Sequence, residues 1–230
     1  MKRIVILSGA GISAESGIST FRGADGLWEG HDIMEVASPF GWEKDKELVL
    51  EFYNLRRRQL KEVKPNLAHK KLVDLEQKYD LQIVTQNVDD LHERAGAQNV
   101  LHLHGELRKI RSTLNPLDIK YCEEDIKLGD VCSLGGQYRP HIVWFGEEVP
   151  KIEEAVSIIS TADIVVIIGT SMQVYPAASL IAYAPSLCRT FYIDPNPSIN
   201  SELEARNIKV ITNTAVGAVP SLVEELLAEN

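Results

Sequence analysis

Five consecutive β-branched residues, Ile164 to Ile168, run without a break into Gly169-Thr170-Ser171. Such side chains favour extended backbone, and a run with no polar alternation belongs to a strand buried on both faces. Arg3-Ile-Val-Ile-Leu7 has the same character and breaks at Ser8-Gly-Ala-Gly11. Strands covered on both sides occur in parallel sheets, whose crossovers are helices. The pattern predicts further strands at 81–85, 100–103, 190–194 and 208–211. It predicts helices at 45–63, 66–78, 90–94, 151–161, 176–184 and 219–228, with another starting at Ile12-Ser-Ala-Glu15. The fold class is therefore α/β, a Rossmann-like doubly wound parallel sheet. Residues 20–45 hold Gly23, Gly26, Gly30, Pro39 and Gly41 and read as a long structured loop. From 106 to 140 the chain turns polar and loses periodicity until Ile142-Val-Trp-Phe145, the mark of a small inserted subdomain. The expected organisation is one domain over 1–230, with a Rossmann-like part (1–27, 66–105, 147–230) and a small subdomain (28–65, 106–146).

Within the first long helix, Leu48, Phe52 and Leu55 are spaced as a core face. In the second, Asn66 after Pro65 reads as the N-cap, and Leu67, Leu72 and Leu75 alternate with Lys70 and Lys71. Composition narrows the partners. Lys and Arg total 24 against 33 Asp and Glu, a net charge of −9, which argues against nucleic acid phosphates and anionic membranes. No apolar run approaches the roughly 18 residues of a membrane span, and Met-Lys-Arg followed by four apolar residues does not read as a leader. Three cysteines, at 122, 132 and 188, build no disulfide framework; a reducing, cytoplasmic setting is expected, with Cys188 simply buried.

Gly9-x-Gly11-x-x-Ala14 lies between a buried strand and a helix, the context in which such a loop lets backbone approach a dinucleotide pyrophosphate. The bland reading is a tight strand–helix turn. Glu29 and Asp32 have the spacing of a ribose-binding acid but follow no strand, which argues against a hydride-transferring dehydrogenase. In open parallel sheets ligands gather at the carboxyl ends of strands. Ser8 to Gly11, Thr85 to Asp89, His102 to Gly105, Gly169 to Ser171 and Asp194 to Pro197 all sit at such ends. His102 and His104 share a face of an extended segment, and each could be a satisfied edge histidine. Gly105 beside His104 favours His104 as the working general base.

Gly9-Ala-Gly-Ile-Ser-Ala-Glu-Ser-Gly-Ile18, Thr20-Phe-Arg22, Thr85-Gln-Asn-Val-Asp89, His104-Gly105, Val143-Trp-Phe-Gly146 and Gly169-Thr-Ser171 together resemble the sirtuins, NAD-dependent protein lysine deacylases. The resemblance implies that NAD is consumed as a co-substrate. Gly9, Ala10, Gly11, Ala14 and Glu15 would line its phosphate loop; Phe21 would shield the ribose and Arg22 contact the cofactor. Gln86, Asn87 and Asp89 would hold the nicotinamide end, and Gly169, Thr170 and Ser171 phosphate or ribose. Asp194, Pro195, Asn196 and Ala215 would surround the adenosine. His104, with Asn87, would be catalytic: the acyl-lysine oxygen expels nicotinamide, His104 helps deprotonate a ribose hydroxyl, and water releases lysine and O-acyl-ADP-ribose. Val143, Trp144, Phe145 and Gly146 would offer backbone to a substrate peptide carrying the acylated lysine.

Tyr53 and Arg56 share a face of the helix at 45–63, between Val49 and Leu60. The pair resembles that of class III sirtuins, which read acyl chains ending in a carboxylate; guanidinium and phenol suit that group. Succinyl- and malonyl-lysine are expected over acetyl-lysine, with Arg57 and Arg58 an ordinary solvated face. Most sirtuins carry four zinc-binding cysteines. Here only Cys122 and Cys132 stand in the region, Ser112 sits near the first ligand position, His141 is nearby, and no zinc is expected. Plain deacetylation, mono-ADP-ribosyl transfer from the same site and an idle NAD-sensing module are the alternatives; Asn87, Asp89 and His104 together argue against the last.

Overall fold

The computed structural model describes residues 1–19 and 27–229, so Phe21 and Arg22 lie outside the described residues. Strands in chain order are β1 (Lys2–Ser8), β2 (Leu27–Trp28), β3 (His31–Asp32), β4 (Tyr79–Thr85), β5 (Val100–His102), β6 (Gly105–Ser112), β7 (Ile119–Tyr121), β8 (Tyr138–Ile142), β9 (Ile164–Ile168), β10 (Arg189–Ile193) and β11 (Ile208–Ile211). Helices are α1 (Ile33–Val36), α2 (Pro39–Lys44), α3 (Lys46–Glu62), α4 (Leu67–Val73), α5 (Leu91–Ala95), α6 (Ile152–Ile159), α7 (Ser201–Glu204) and α8 (Ala215–Ala228).

Six strands form a wholly parallel sheet in the order β11-β10-β9-β1-β4-β5. The chain builds outward from β1 through β4 to β5, returns to β9 on the other side of β1, and continues to β10 and β11. Strand order thus reverses between β1 and β9, the switch point at which doubly wound sheets open a crevice. Alternation along β1 sends Ile4 and Ile6 to one face, with Leu72 of α4 and Val219, Leu222 and Leu226 of α8. Val5 and Leu7 go to the other, with Ala155 and Ile159 of α6 and with Leu180 and Ile181. Each such buried Ile, Val or Leu contributes about 1.5–3 kcal/mol. A third apolar cluster packs Val49, Phe52, Tyr53 and Leu60 of α3 with Val36 and Trp42 against the antiparallel sheet β7-β6-β8.

Several local expectations need correction. The described part of the 20–45 "loop" holds the β2–β3 hairpin and two short helices. Asp32 caps the first through the Met34 N–H; Ser38 caps the second through the Gly41 N–H, with Pro39 in its first turn. Four and six residues are too few to show a period. In α3 the core face is turned: Leu55 is exposed and Arg57 is buried. In α4 Leu67 is exposed, while Ala68, His69 and Leu72 are buried. Residues 74–77, the stretch after Gly9 (Ala10–Ser16) and Ala177–Tyr183 are 3₁₀ rather than α-helical. The region 106–140 contains strands, and α8 starts at Ala215 because Thr214 caps it there, with Pro220 tolerated inside.

Candidate active site

Parallel pairing puts six carboxyl ends on one edge. His102, Thr85, Ser8, Ile168, Ile193 and Ile211 stand in a single register row across the sheet. The predicted clusters therefore begin within two residues of that row and meet around the switch point. There the Gly9 N–H donates to the Ile168 carbonyl at 3.0 Å, and the Gly11 N–H to the Gly169 carbonyl at 2.8 Å. A Cβ on Gly9 would lie 2.7 Å from the Gly169 oxygen, and one on Gly11 2.6 Å from the Gly169 Cα. Gly169 itself has φ +63°, and its Cβ would sit 2.4 Å from the Ile12 nitrogen. These glycines are required by the approach of two loops of the chain to each other, a different reason from ligand approach. They leave this part of the sheet edge without side chains. The 3₁₀ stretch after Gly9 is seven residues long, too short to present the full helix dipole expected there.

Gln86 ties the edge together: its N–H donates to the Ser8 carbonyl and its Nε2 to Thr170 Oγ1 at 3.1 Å. Thr170 in turn accepts the Tyr192 hydroxyl at its carbonyl. Asp194 accepts the Asn196 N–H, and Ser171, Pro195 and Asn196 are exposed beside it. Ala10 and Ala14 flank the glycine turn. Glu15 does not face that turn with its carboxylate. It accepts the Val216 N–H and the Thr214 hydroxyl, capping α8 next to Ala215.

His104 is half-buried, and its Nδ1 lies 3.1 Å from the Gln86 carbonyl. A carbonyl only accepts, so Nδ1 carries the proton and the Nε2 lone pair is bare; Nε2 has no hydrogen-bond partner among the described residues. Burial lowers the pKa of this imidazole, outweighing the Gln86 contact. The result is a neutral ring presenting an acceptor nitrogen, the form a general base needs at neutral pH. His102 is occupied differently, with Nδ1 on the Asn87 carbonyl at 2.8 Å and Nε2 on Glu93 at 2.7 Å.

Behind these residues lies a buried polar network that sequence reading missed. Asn87 Nδ2 donates to Ser13 Oγ (3.2 Å), and Ser13 donates to Asp89 (2.9 Å), which also accepts the Leu91 N–H. Burial raises the Asp89 pKa despite both donors. Ser8 donates to Thr85 Oγ1 and pairs with His92 Nε2, while Thr85 Oγ1 accepts the Asn87 N–H. His69 stacks edge-on against His92 with centroids 5.0 Å apart, and desolvation pushes its pKa down to about 4. The available signal was His69 itself, placed i, i+3 with Leu72 on the apolar side of α4.

Tyr53 is fully buried in α3, and its hydroxyl accepts the Trp144 indole N–H at 3.0 Å. Burial raises its pKa well above the ordinary phenol range, so the phenol keeps its proton. One turn on, the Arg56 guanidinium stacks 3.6 Å over Phe52 and donates to the Phe52 carbonyl at 2.6 Å. Glu29 stands 3.8 Å from its Nη2, and its Nε is buried without a partner. Desolvation lowers the Arg56 pKa. The group is thus charged, half-covered and under-bonded. Arg57 is not the solvated charge expected: it is 1% exposed and donates to the Leu107 and Glu124 carbonyls and Asn54 Oδ1. Arg58 is exposed and paired with Asp125 and Glu51.

The sequence model described as "Sir2 family" matches residues 9–176, taking in the glycine turn, Gln86 to Asp89, His104 and Gly169 to Ser171. The chain belongs to the Sir2 family. An "NAD-dependent protein deacylase" of Helicobacter pylori (strain ATCC 700392 / 26695) is 57% identical over 227 residues, covering 99% of this chain and 98% of that one. The crystal structure of a Sir2 homolog–NAD complex superposes with TM-score 0.87 at 36% identity, covering 98% of this chain and 90% of that one. A Sir2–p53 peptide–NAD+ structure gives TM-score 0.80 at 28% identity, covering 99% and 94%.

Two motifs of this Sir2 member are arranged in ways its sequence does not announce. Along Val143 to Gly146 the N–H groups of Val143, Trp144 and Phe145 are already donated to the His104 carbonyl, Glu147 and the Ala37 carbonyl. In the small antiparallel region, Ser112 Oγ donates to Cys132 Sγ at 3.1 Å and accepts the Leu114 and Asn115 N–H groups. Asn115 and Gly135 lie three residues after Ser112 and Cys132, so S-x-x-N and C-x-x-G stand where two C-x-x-C pairs would have metal-ligand spacing. Among the described residues no group of three or more His, Cys, Asp or Glu converges as a metal cluster.

Proposed function

We propose that the chain is an NAD-dependent protein lysine deacylase that favours acyl groups ending in a carboxylate, succinyl and malonyl before acetyl, and leaves O-acyl-ADP-ribose. The observation that carries the reading is His104, neutral and with a bare Nε2 at the sheet edge, two residues beyond the register row and held by the Gln86 carbonyl of the loop that carries Asn87 and Asp89.

The residues suit a dinucleotide. Gly9, Gly11 and Gly169 leave this part of the sheet edge without side chains, Thr170 and Ser171 flank it, and Asp194 to Asn196 with Ala215 stand at the far end. NAD, the co-substrate, supplies an electrophilic ribose carbon and nicotinamide as leaving group. Gln86, Asn87 and Asp89 orient the ribose from fixed positions, since their partners Thr170, Ser13 and Leu91 hold them before ligand arrives. His104 Nε2 accepts a ribose hydroxyl proton, while Gln86 fixes the tautomer through Nδ1. Arg56 and the protonated Tyr53 phenol give the acyl carboxylate its donors, because the phenol oxygen already accepts from Trp144 and its own proton is left to donate. The similar Sir2 structure with a bound p53 peptide supports a protein substrate.

Incubation with NAD and acetyl-, succinyl- and malonyl-lysine peptides tests the reading. Nicotinamide release that requires an acylated peptide, fastest with the acidic acyl groups, is the expected result. Transfer of labelled ADP-ribose to protein, or no turnover on any peptide, would refute it.

A further inference from the structure

Glu93, His102, Asn87, Ser13 and Asp89 form an unbroken hydrogen-bonded line from α5, through the tip of β5 and the loop after β4, to the first 3₁₀ stretch. Both partners of the His102 ring can only accept: the Asn87 carbonyl 2.8 Å from Nδ1, and a Glu93 carboxylate oxygen 2.7 Å from Nε2. Each ring nitrogen therefore carries a proton, and the ring is an imidazolium. A neutral ring keeps its one proton on Nε2, where the ionised Glu93 carboxylate is the stronger acceptor, and aims the Nδ1 lone pair at the Asn87 carbonyl, so the bond to Asn87 is the one lost. Asn87 is 6% exposed and is held at three points: its N–H by Thr85, its amide by Ser13 and its carbonyl by His102. Only the last of these depends on a proton that comes and goes near neutral pH.

We propose that the His102 imidazolium, clamped by the Glu93 carboxylate, is a positioning residue that fixes Asn87 for NAD, so that NAD binds more tightly to the protein with His102 protonated. The proposal rests on the NAD reading of the site. The groups facing His102 are Glu93 and His92 from α5, Asp89 from the loop after β4, and Glu106 from β6, with Lys109 acting on Glu93. Burial opposes the charge, but Glu93, the Asn87 carbonyl and Glu106 outweigh it and raise the pKa above the ordinary histidine value. Two residues on, His104 has one carbonyl and no carboxylate, and its pKa falls. The two histidines thus divide the work: one charged and holding Asn87, the other neutral and able to accept a proton.

Linkage supplies the test, because a ligand that prefers the protonated form must raise that group's titration midpoint. NMR titration of the His102 imidazole in the full chain, free and saturated with ADP-ribose, is combined with NAD affinity measured across pH by calorimetry. The expected results are a higher midpoint in the complex and NAD affinity about fivefold or more weaker above the midpoint than below it. In Glu93→Gln the affinity limb moves to lower pH or flattens, because the Gln amide can donate to Nε2 of a neutral ring and leave the Nδ1 proton on Asn87; in His102→Gln, whose amide donates to Asn87 at any pH, the limb disappears. A lost side-chain packing role alone would weaken binding equally at every pH. An unmoved midpoint on ligand binding, or a Glu93→Gln limb where the wild type has it, overturns the proposal. The wild-type titration decides even if a variant does not fold. Failure of wild type to bind NAD at any pH would overturn this proposal together with the NAD reading, whereas binding with a fixed midpoint overturns this one alone.

Discussion

Replacing Arg56 with methionine keeps an apolar stem against Phe52 and removes the cation. In the free protein the guanidinium spends one of its five N–H groups on the Phe52 carbonyl, has Glu29 only at 3.8 Å and leaves Nε unpartnered, so enough donors remain for a two-bond pair with a carboxylate. A charge-assisted hydrogen bond contributes about 1.5–3 kcal/mol. Displacing Glu29, a contact worth about 0–1 kcal/mol at this exposure, and desolvating the acyl carboxylate offset part of two such bonds. The net is about 2–4 kcal/mol, or roughly 30- to 700-fold in kcat/KM. The assay compares kcat/KM on succinyl- and acetyl-lysine versions of one peptide by nicotinamide release. The account predicts that the succinyl-to-acetyl ratio collapses by that factor. Equal losses on both peptides would refute the assignment of Arg56 to the acyl carboxylate.

Glu29→Gln removes the resident anion beside Arg56, and the KM for succinyl peptide is expected to fall about two- to fivefold, read in the same assay. His69 is depressed to about 4 in the fold against an ordinary 6.5, so the unfolded chain binds the extra proton and stability drops as pH falls through that window. Urea denaturation is expected to show roughly 2 kcal/mol less stability at pH 5 than at pH 7 from this group, a difference that His69→Gln reduces. Ser112→Ala strands the Leu114 and Asn115 N–H groups and removes one donor from Cys132, and the melting temperature is expected to fall by roughly 2–6 °C, the equivalent of about 1–2 kcal/mol in a chain of this size. Elemental analysis of the purified chain should find no stoichiometric zinc; one zinc per chain would contradict the reading of Ser112 and Cys132.

The sheet was legible because its strands carry their burial in the sequence: Ile4 to Leu7 and Ile164 to Ile168 have no polar face, so they read as central and parallel. The edge was legible for the same reason, since each run ends abruptly in Gly, Thr, Asn, Asp or His. What escaped was of two kinds. Short elements such as Ile33–Val36 complete one turn and show no period, and only Asp32 and Ser38-Pro39 hinted at them. Buried polar groups escaped because burial depends on partners far away in the chain. Arg57 is inside because the Leu107 and Glu124 carbonyls and Asn54 need its N–H groups, and nothing in Arg56-Arg57-Arg58 distinguishes it from its neighbours. The glycine turn was found for a reason that proved incomplete: its glycines answer first to Gly169 across the switch point.

His104→Ala tests the central claim most directly. Turnover of an acylated peptide by the variant in saturating NAD, set beside its NAD affinity, separates proton transfer from binding. The account predicts a loss of about 10²- to 10⁴-fold in kcat with NAD still bound. Full-speed release of free lysine by the variant would contradict it.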